Sequence, residues 1–103
     1  MLYFKFASHS EICRELGARL KAQRLAQLVS QEELAQRAGV SIGTVKNIEN
    51  KGQSSMESTV RIALALGLAD QLDVLFRLQV KSIAQMEAAE QAVRRRAPRR
   101  APS

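Results

Sequence analysis

The chain has 103 residues, enough for one domain with one modest core, and it carries a formal net charge of +6. Its 16 basic residues outnumber 10 acidic ones, which favours a polyanionic partner, and its single cysteine excludes an internal disulfide and suits the reducing cytoplasm, where we expect the protein to act. No apolar run reaches the ~18 residues that a membrane span needs, so we expect no membrane partner.

Residues 1–9 are interpreted as an N-terminal arm. Within them Leu2, Phe4 and Phe6 alternate with Tyr3 and Lys5. This alternation is compatible with a short strand, with an apolar arm lying against the body, or with a frayed terminus. The sequence leaves these alternatives open.

A first helix is expected to follow the arm and to run to about Leu28. Ser8 and Glu11 have the spacing of a capping box, with Ser10 as a competing cap. Apolar residues recur at helical spacing and predict one buried stripe, which comprises Ile12, Leu16 and Leu20.

Residues 30–50 have the pattern of two short helices joined by a tight turn. Ser30 and Glu33 form a second capping box. Gly39 supplies the left-handed residue that ends the first helix, and Ser41 caps the second. The apolar positions are spaced for one shared core: Leu34, Ala38, Val40, Val45 and Ile48. The pattern predicts a helix-turn-helix.

The second helix of this motif has an outward polar face. At 100° per residue, the residues opposite Val45 and Ile48 are Gly43, Lys46, Asn47 and Asn50. An asparagine can pair with adenine, and a lysine with guanine or a phosphate. Ile42 flanks this face, where it is placed to touch a thymine methyl group, and Gly43 leaves the backbone bare for close approach to DNA. The alternative for each position is a plain solvated surface.

Two further helices complete the predicted domain, which we assign to residues 10–77. Ser55 caps a fourth helix that Gly67 ends, and a short fifth helix begins at Asp70. Residues 76–80, FRLQV, then alternate apolar and polar side chains. They predict either a half-buried strand, paired with residues 2–6 or with a second subunit, or a continuation of helix five.

The C-terminal quarter divides into an extension and a tail. Residues 78–93 are predicted to be a strand or a marginal helix, with Ser82 and Gln85 at capping-box spacing. Residues 94–103 hold five of the 16 basic residues, none of the 10 acidic residues and both prolines, so we predict a disordered basic tail. The remainder is almost balanced in charge.

No catalytic or metal site is predicted. His9 and Cys13 have neither a second histidine nor a second cysteine at metal-ligand spacing, and no third group completes a nucleophile pair. We therefore predict a non-enzymatic protein without a cofactor.

The segments LGARLKAQR, SQEELAQRAGVSIGTVKNIEN and STVRIALALGL resemble the XRE family, the helix-turn-helix fold of phage Cro and the lambdoid repressors. The resemblance covers residues 16–76. It implies an all-α, five-helix, lambda repressor-like domain that binds double-stranded DNA as a homodimer, with helix three in the major groove. Two departures affect loops: Lys51 stands where the family usually has glycine, and Leu28 replaces a glycine before the cap of helix two.

Carried over by residue, the resemblance implies contacts to bases and to the DNA backbone. Gln31 would contact a phosphate, and Asn50 the backbone at the end of helix three. The positions expected to face bases or flanking phosphates are Ser41, Ile42, Gly43, Thr44, Lys46 and Asn47. Arg24 and Glu49 match a structural ion pair between helices one and three.

We therefore predict a transcriptional repressor that binds a near-palindromic operator as a homodimer. The N-terminal arm, the strand predicted after helix five and the basic tail also resemble HipB-like antitoxins. The alternative is accordingly an antitoxin that neutralises a HipA-like kinase toxin and represses its own operon. A helical interaction module without a DNA role is the second alternative.

Overall fold

Serine side chains begin four of the helices. The N-caps are Ser8, Ser30, Ser41 and Ser55, and each hydroxyl accepts a hydrogen bond from the backbone N–H three residues on. At Ser8 and Ser30 the glutamate three residues later also accepts from the cap's own N–H, which completes two of the three predicted capping boxes.

The computed structural model describes residues 2–79 and 82–96 and is all-helical over those ranges, which confirms the predicted all-α class. A 3-10 turn at Phe4–Phe6 precedes six α-helices. They are α1 (His9–Ala26), α2 (Gln31–Ala38), α3 (Ile42–Lys51), α4 (Met56–Ala65), α5 (Ala69–Asp73) and α6 (Ile83–Arg96). The first five helices correspond to the predicted bundle.

The core lies where α2, α3 and α4 meet. Leu34, Val45 and Ile62 contribute one fully buried side chain from each of these helices. Smaller residues close the gaps between them, since Ala35 and Ala38 are also buried. Helices α2 and α3, joined by the left-handed residue Gly39, therefore form a rigid unit.

Helix α1 crosses α3 at two glycines. A methyl group added to Gly17 would overlap the carbonyl oxygen of Ile48, and one added to Gly52 would overlap the carbonyl oxygen of Cys13. Gly52 also has φ of +66° as the residue that ends α3. Both positions need glycine, so the backbones of α1 and α3 lie in direct contact.

Neither of the two stretches for which a strand was one alternative forms a strand in its described residues. Residues 77–79 have no regular structure and Phe76 has φ of +55°, so this part of FRLQV is neither a strand nor a continuation of α5, while Val80 lies outside the described residues. A left-handed residue breaks the extended backbone that strand alternation requires. Near the N-terminus a 3-10 turn forms instead of a strand. The Arg19 guanidinium lies over the Phe4 ring, 5.0 Å from the centroid of the ring.

Of the strand and the marginal helix predicted for the C-terminal extension, the helix is formed, as α6 (Ile83–Arg96), and it continues into the predicted tail. Helix α6 runs to Arg96, so the prediction of disorder is wrong for residues 94–96. Arginine is a good helix former, and three consecutive arginines continue the helix until shortly before Pro98. The rest of the predicted disordered tail, residues 97–103, lies outside the described residues.

Candidate nucleic-acid interface

One face of α3 is exposed and carries polar groups without partners. Lys46, Asn47 and Asn50 are exposed, whereas Val45, Ile48 and Glu49 on the opposite side are buried. Within residues 2–79 and 82–96 the side chains of Lys46, Asn47 and Asn50 make no hydrogen bond, so their donors and acceptors remain available to a ligand. The outward face predicted from helical spacing is therefore the face that the structure presents to solvent.

The first turn of α3 adds two residues to this face. Ile42 is exposed at the start of the helix, 38% accessible. Gly43 is exposed as well, and a methyl group added there would meet only the Ser41 hydroxyl, at 3.8 Å. Packing within the described residues therefore does not require glycine at this position.

Ser41 and Thr44 hold the start of α3 in place. The Ser41 hydroxyl accepts from the Thr44 N–H at 3.1 Å and lies 2.9 Å from the Thr44 hydroxyl. Thr44 is half-buried. These two residues thus fix the end of the helix, and one of the two hydroxyl protons stays free to donate to a ligand.

Behind the exposed face, a buried ion pair connects α3 to α1. Arg24 Nε donates to Glu49 Oε2 at 2.7 Å, and Arg24 Nη2 donates to Glu49 Oε1 at 3.0 Å. The remaining Arg24 nitrogen, Nη1, donates to the Val29 carbonyl at 2.8 Å. The two side chains are only 8% and 2% exposed. Each of the three guanidinium nitrogens and both carboxylate oxygens therefore has a hydrogen-bond partner, which is the condition for burying these charges.

The surroundings of Glu49 keep its carboxylate ionised. Burial acts to raise the pKa of Glu49, but hydrogen bonds from Arg24 and Gln31 and the charges of Arg24 and Lys21 outweigh it, so this pKa lies below its ordinary value. The hydrogen bond to Glu49 likewise raises the pKa of Arg24, against the effect of burial. Both partners stay charged at neutral pH.

Gln31 lies at the junction between this pair and the surface. Its Nε2 donates to Glu49 Oε1 at 3.0 Å, and the residue is half-buried at the start of α2. The second Nε2 hydrogen makes no hydrogen bond within the described residues. Sequence reasoning did not predict the contact to Glu49. The signal was available in principle, because a buried carboxylate accepts more hydrogen bonds than one arginine fork supplies.

Other kinds of site are not found in the described part of the chain. No group of three or more histidine, cysteine, aspartate or glutamate side chains in residues 2–79 and 82–96 is arranged to hold a metal ion. No helix in those ranges is both long and apolar enough to cross a membrane.

Comparison with known proteins identifies the same region. A family model described as Helix-turn-helix matches residues 20–72, just over half of the chain. The match contains α2, α3 and α4 completely, together with the end of α1 that carries Arg24. No curated protein matches the chain.

Proposed function

The chain belongs to the XRE family of helix-turn-helix DNA-binding transcription regulators, and from this premise we propose that it is a repressor that binds a near-palindromic operator as a homodimer. The supporting observation is the exposed face of α3, whose amide and ammonium groups lack partners within the described residues. A major groove about 12 Å wide admits one α-helix, and it displays a distinct pattern of donors and acceptors for each base pair.

The residues of this face divide into those that read bases and those that position the helix. Asn47 reads adenine through its amide, Lys46 donates to guanine or to a phosphate, and Ile42 touches a thymine methyl group. Gly43 allows the backbone of α3 to lie close to the base edges. These assignments are supported by the exposure of all four residues on the turns of α3 nearest its N-terminus.

Four polar residues position the helix on the DNA backbone. Gln31 donates to a phosphate with the amide hydrogen that Glu49 does not use, and whichever of the Ser41 and Thr44 hydroxyls keeps its proton free does the same at the start of α3. Asn50 contacts the backbone at the other end of the helix. Contacts of this kind set orientation and register without reading sequence.

A dimer places two copies of α3 in successive major grooves, about 34 Å apart, which sets the distance between half-sites, and its two-fold symmetry accounts for a near-palindromic operator. Repression follows from occupancy alone, because a protein seated on a promoter excludes polymerase without any further contact. Activation would need an additional surface that touches the polymerase.

Binding-site selection from random duplexes tests this function. We expect enrichment of two related half-sites one helical turn apart, and footprinting of the selected duplex should show protection confined to them. Selection that enriches no sequence, together with uniform protection along the duplex, would contradict specific binding.

The antitoxin alternative is tested separately. The strand after α5, on which part of the HipB-like resemblance depended, is not formed in the described residues. The observation that still favours a protein partner is the exposed apolar surface beyond α5. Co-purification of a kinase-like protein with the native chain would support the antitoxin function. Its absence would contradict that function and leave repression as the proposed function.

A further inference from the structure

Exposed apolar side chains are concentrated beyond α5, outside the segment that the family model matches. They comprise Val74, Leu75, Phe76 and Leu78 after α5, and Ile83, Met86 and Val93 on α6. We call these seven residues the C-terminal apolar surface. Three of them, Leu78, Met86 and Val93, line one groove, and exposed apolar residues that lie together indicate a contact with another molecule.

Phe76 combines a strained backbone with an exposed side chain. Its φ of +55° places a bulky side chain in the left-handed region, and its side chain is 90% exposed. The backbone strain therefore comes without compensating burial inside the chain, and a glycine would adopt the same turn at no steric cost. Leu28 has the same backbone and exposure, so what distinguishes Phe76 is its aromatic ring and its place within the C-terminal apolar surface, where an outside partner could bury the ring.

The same surface contains a cavity that an aromatic ring can enter. Leu78, Met86, Ala89 and Val93 form the apolar lining of an open groove of about 420 Å³, and Glu90 and Arg94 complete the lining. Phe76 does not occupy the groove of its own chain. Each copy thus presents both a protruding ring and a groove, which is the requirement for a self-complementary, two-fold contact.

The charges of α6 favour a second copy in antiparallel orientation. Glu87 and Glu90 precede Arg94 and Arg95 along the helix, so an antiparallel pair places acidic residues opposite basic ones in both directions. A parallel pair would bring the arginines of the two copies together. A helix of 14 residues is also marginal by itself in water, and packing against a second helix stabilises it.

We propose that the C-terminal apolar surface is the interface between two copies of this chain, with the two α6 helices antiparallel and Phe76 of each copy seated in the groove of the other. The proposal rests on the homodimer of the proposed function and identifies the surface that forms it.

Sedimentation equilibrium of the full chain without DNA tests the interface through two matched glycine substitutions. Phe76→Gly relieves the left-handed strain, so the monomer should stay folded, with a melting temperature at high dilution no lower than that of the wild type. The dimer dissociation constant should rise roughly a hundredfold, since each dimer loses two aromatic anchors. Leu28→Gly is the control, because Leu28 also has positive φ, is 91% exposed and belongs to the α1–α2 loop. It should leave the dissociation constant unchanged.

A charge exchange tests the antiparallel register. Glu90→Arg and Arg94→Glu should each weaken the dimer about tenfold, and the double variant, which restores opposite charges across the pair, should recover most of the loss. Failure of the double variant to recover would overturn the antiparallel arrangement.

The outcomes distinguish failure of the proposed interface from failure of the homodimer itself. A wild-type dimer that Phe76→Gly leaves intact would overturn the proposed interface while the homodimer stands. A wild-type chain that stays monomeric both free and on operator DNA would overturn the interface and the homodimer together. If the interface is correct, Phe76→Gly keeps its preference for a single half-site and loses the cooperativity between two.

Discussion

Arg24 in α1 and Glu49 in α3 lie 25 positions apart in sequence, yet their side chains form two hydrogen bonds of 2.7 and 3.0 Å in the interior. Glu49 is buried on the inner side of α3, whereas Asn47 lies exposed on nearly the opposite side of the helix. The pair therefore helps to set the rotation of α3 about its axis, and with it the face that the helix presents to solvent.

Removing one partner of this pair should lower the free energy of unfolding. Arg24→Met leaves the Glu49 carboxylate buried with a single hydrogen bond from Gln31, and we expect a loss of ~3–5 kcal/mol in the free energy of unfolding. The double variant Arg24→Met, Glu49→Leu should recover part of that loss, because it leaves no uncompensated charge. Urea denaturation of the single and double variants measures the coupling, and simple additivity would contradict a direct interaction.

The lowered pKa of Glu49 predicts a dependence of stability on acid. An unfolded glutamate titrates at about 4.3. The unfolded chain therefore binds the proton more readily than the folded chain, and stability falls as the pH drops through this value towards the lower folded pKa. The contribution should be fully present above about pH 6. The double variant that lacks the pair should lose less stability between pH 6 and pH 3, and equal losses in both proteins would contradict the pKa assignment.

Gly17→Ala tests the contact between α1 and α3. Alanine in the middle of a helix normally adds up to ~1 kcal/mol of stability relative to glycine. Here the new methyl group would overlap the Ile48 carbonyl, so we expect a lower melting temperature instead. A stabilised variant would mean that the two backbones are further apart than described.

Gly43→Ala makes the same substitution at a position with free space. Its effects on stability and on DNA affinity should have opposite signs. The variant should be more stable by up to ~1 kcal/mol, since the added methyl group meets only the Ser41 hydroxyl at 3.8 Å. DNA affinity should nevertheless fall, because the methyl group stands between α3 and the base edges. Unchanged affinity for the selected operator would show that the backbone at Gly43 does not approach DNA closely.

Local chemistry predicted most of the fold. Caps such as Ser30 with Glu33, and the left-handed Gly39, act within a few residues, so spacing alone identifies them. The amphipathic spacing of Val45 and Ile48 likewise predicted which face of α3 is exposed. These features need no knowledge of what lies elsewhere in the chain.

Features that depend on distant partners were missed or wrong. The hydrogen bond from Gln31 to Glu49 and the contact of Gly17 with Ile48 each join separate helices, and nothing in the local pattern specifies them. Neither alternative for FRLQV, a strand or a continuation of helix five, is formed in its described residues. Alternation is a local signal, but a strand also needs a partner. The positive φ of Phe76 ends the pattern at its first residue.

The central claim, that α3 reads DNA sequence, is tested most directly by the base preference of Asn47→Ala, with Gln31→Ala as the control. Selection from random duplexes should show that Asn47→Ala loses ~1–3 kcal/mol and relaxes its preference at one base position in each half-site. Gln31→Ala should weaken binding to all sequences about equally and keep the wild-type profile. If Asn47→Ala retains the complete wild-type preference, Asn47 does not read a base and the proposed role of α3 is contradicted.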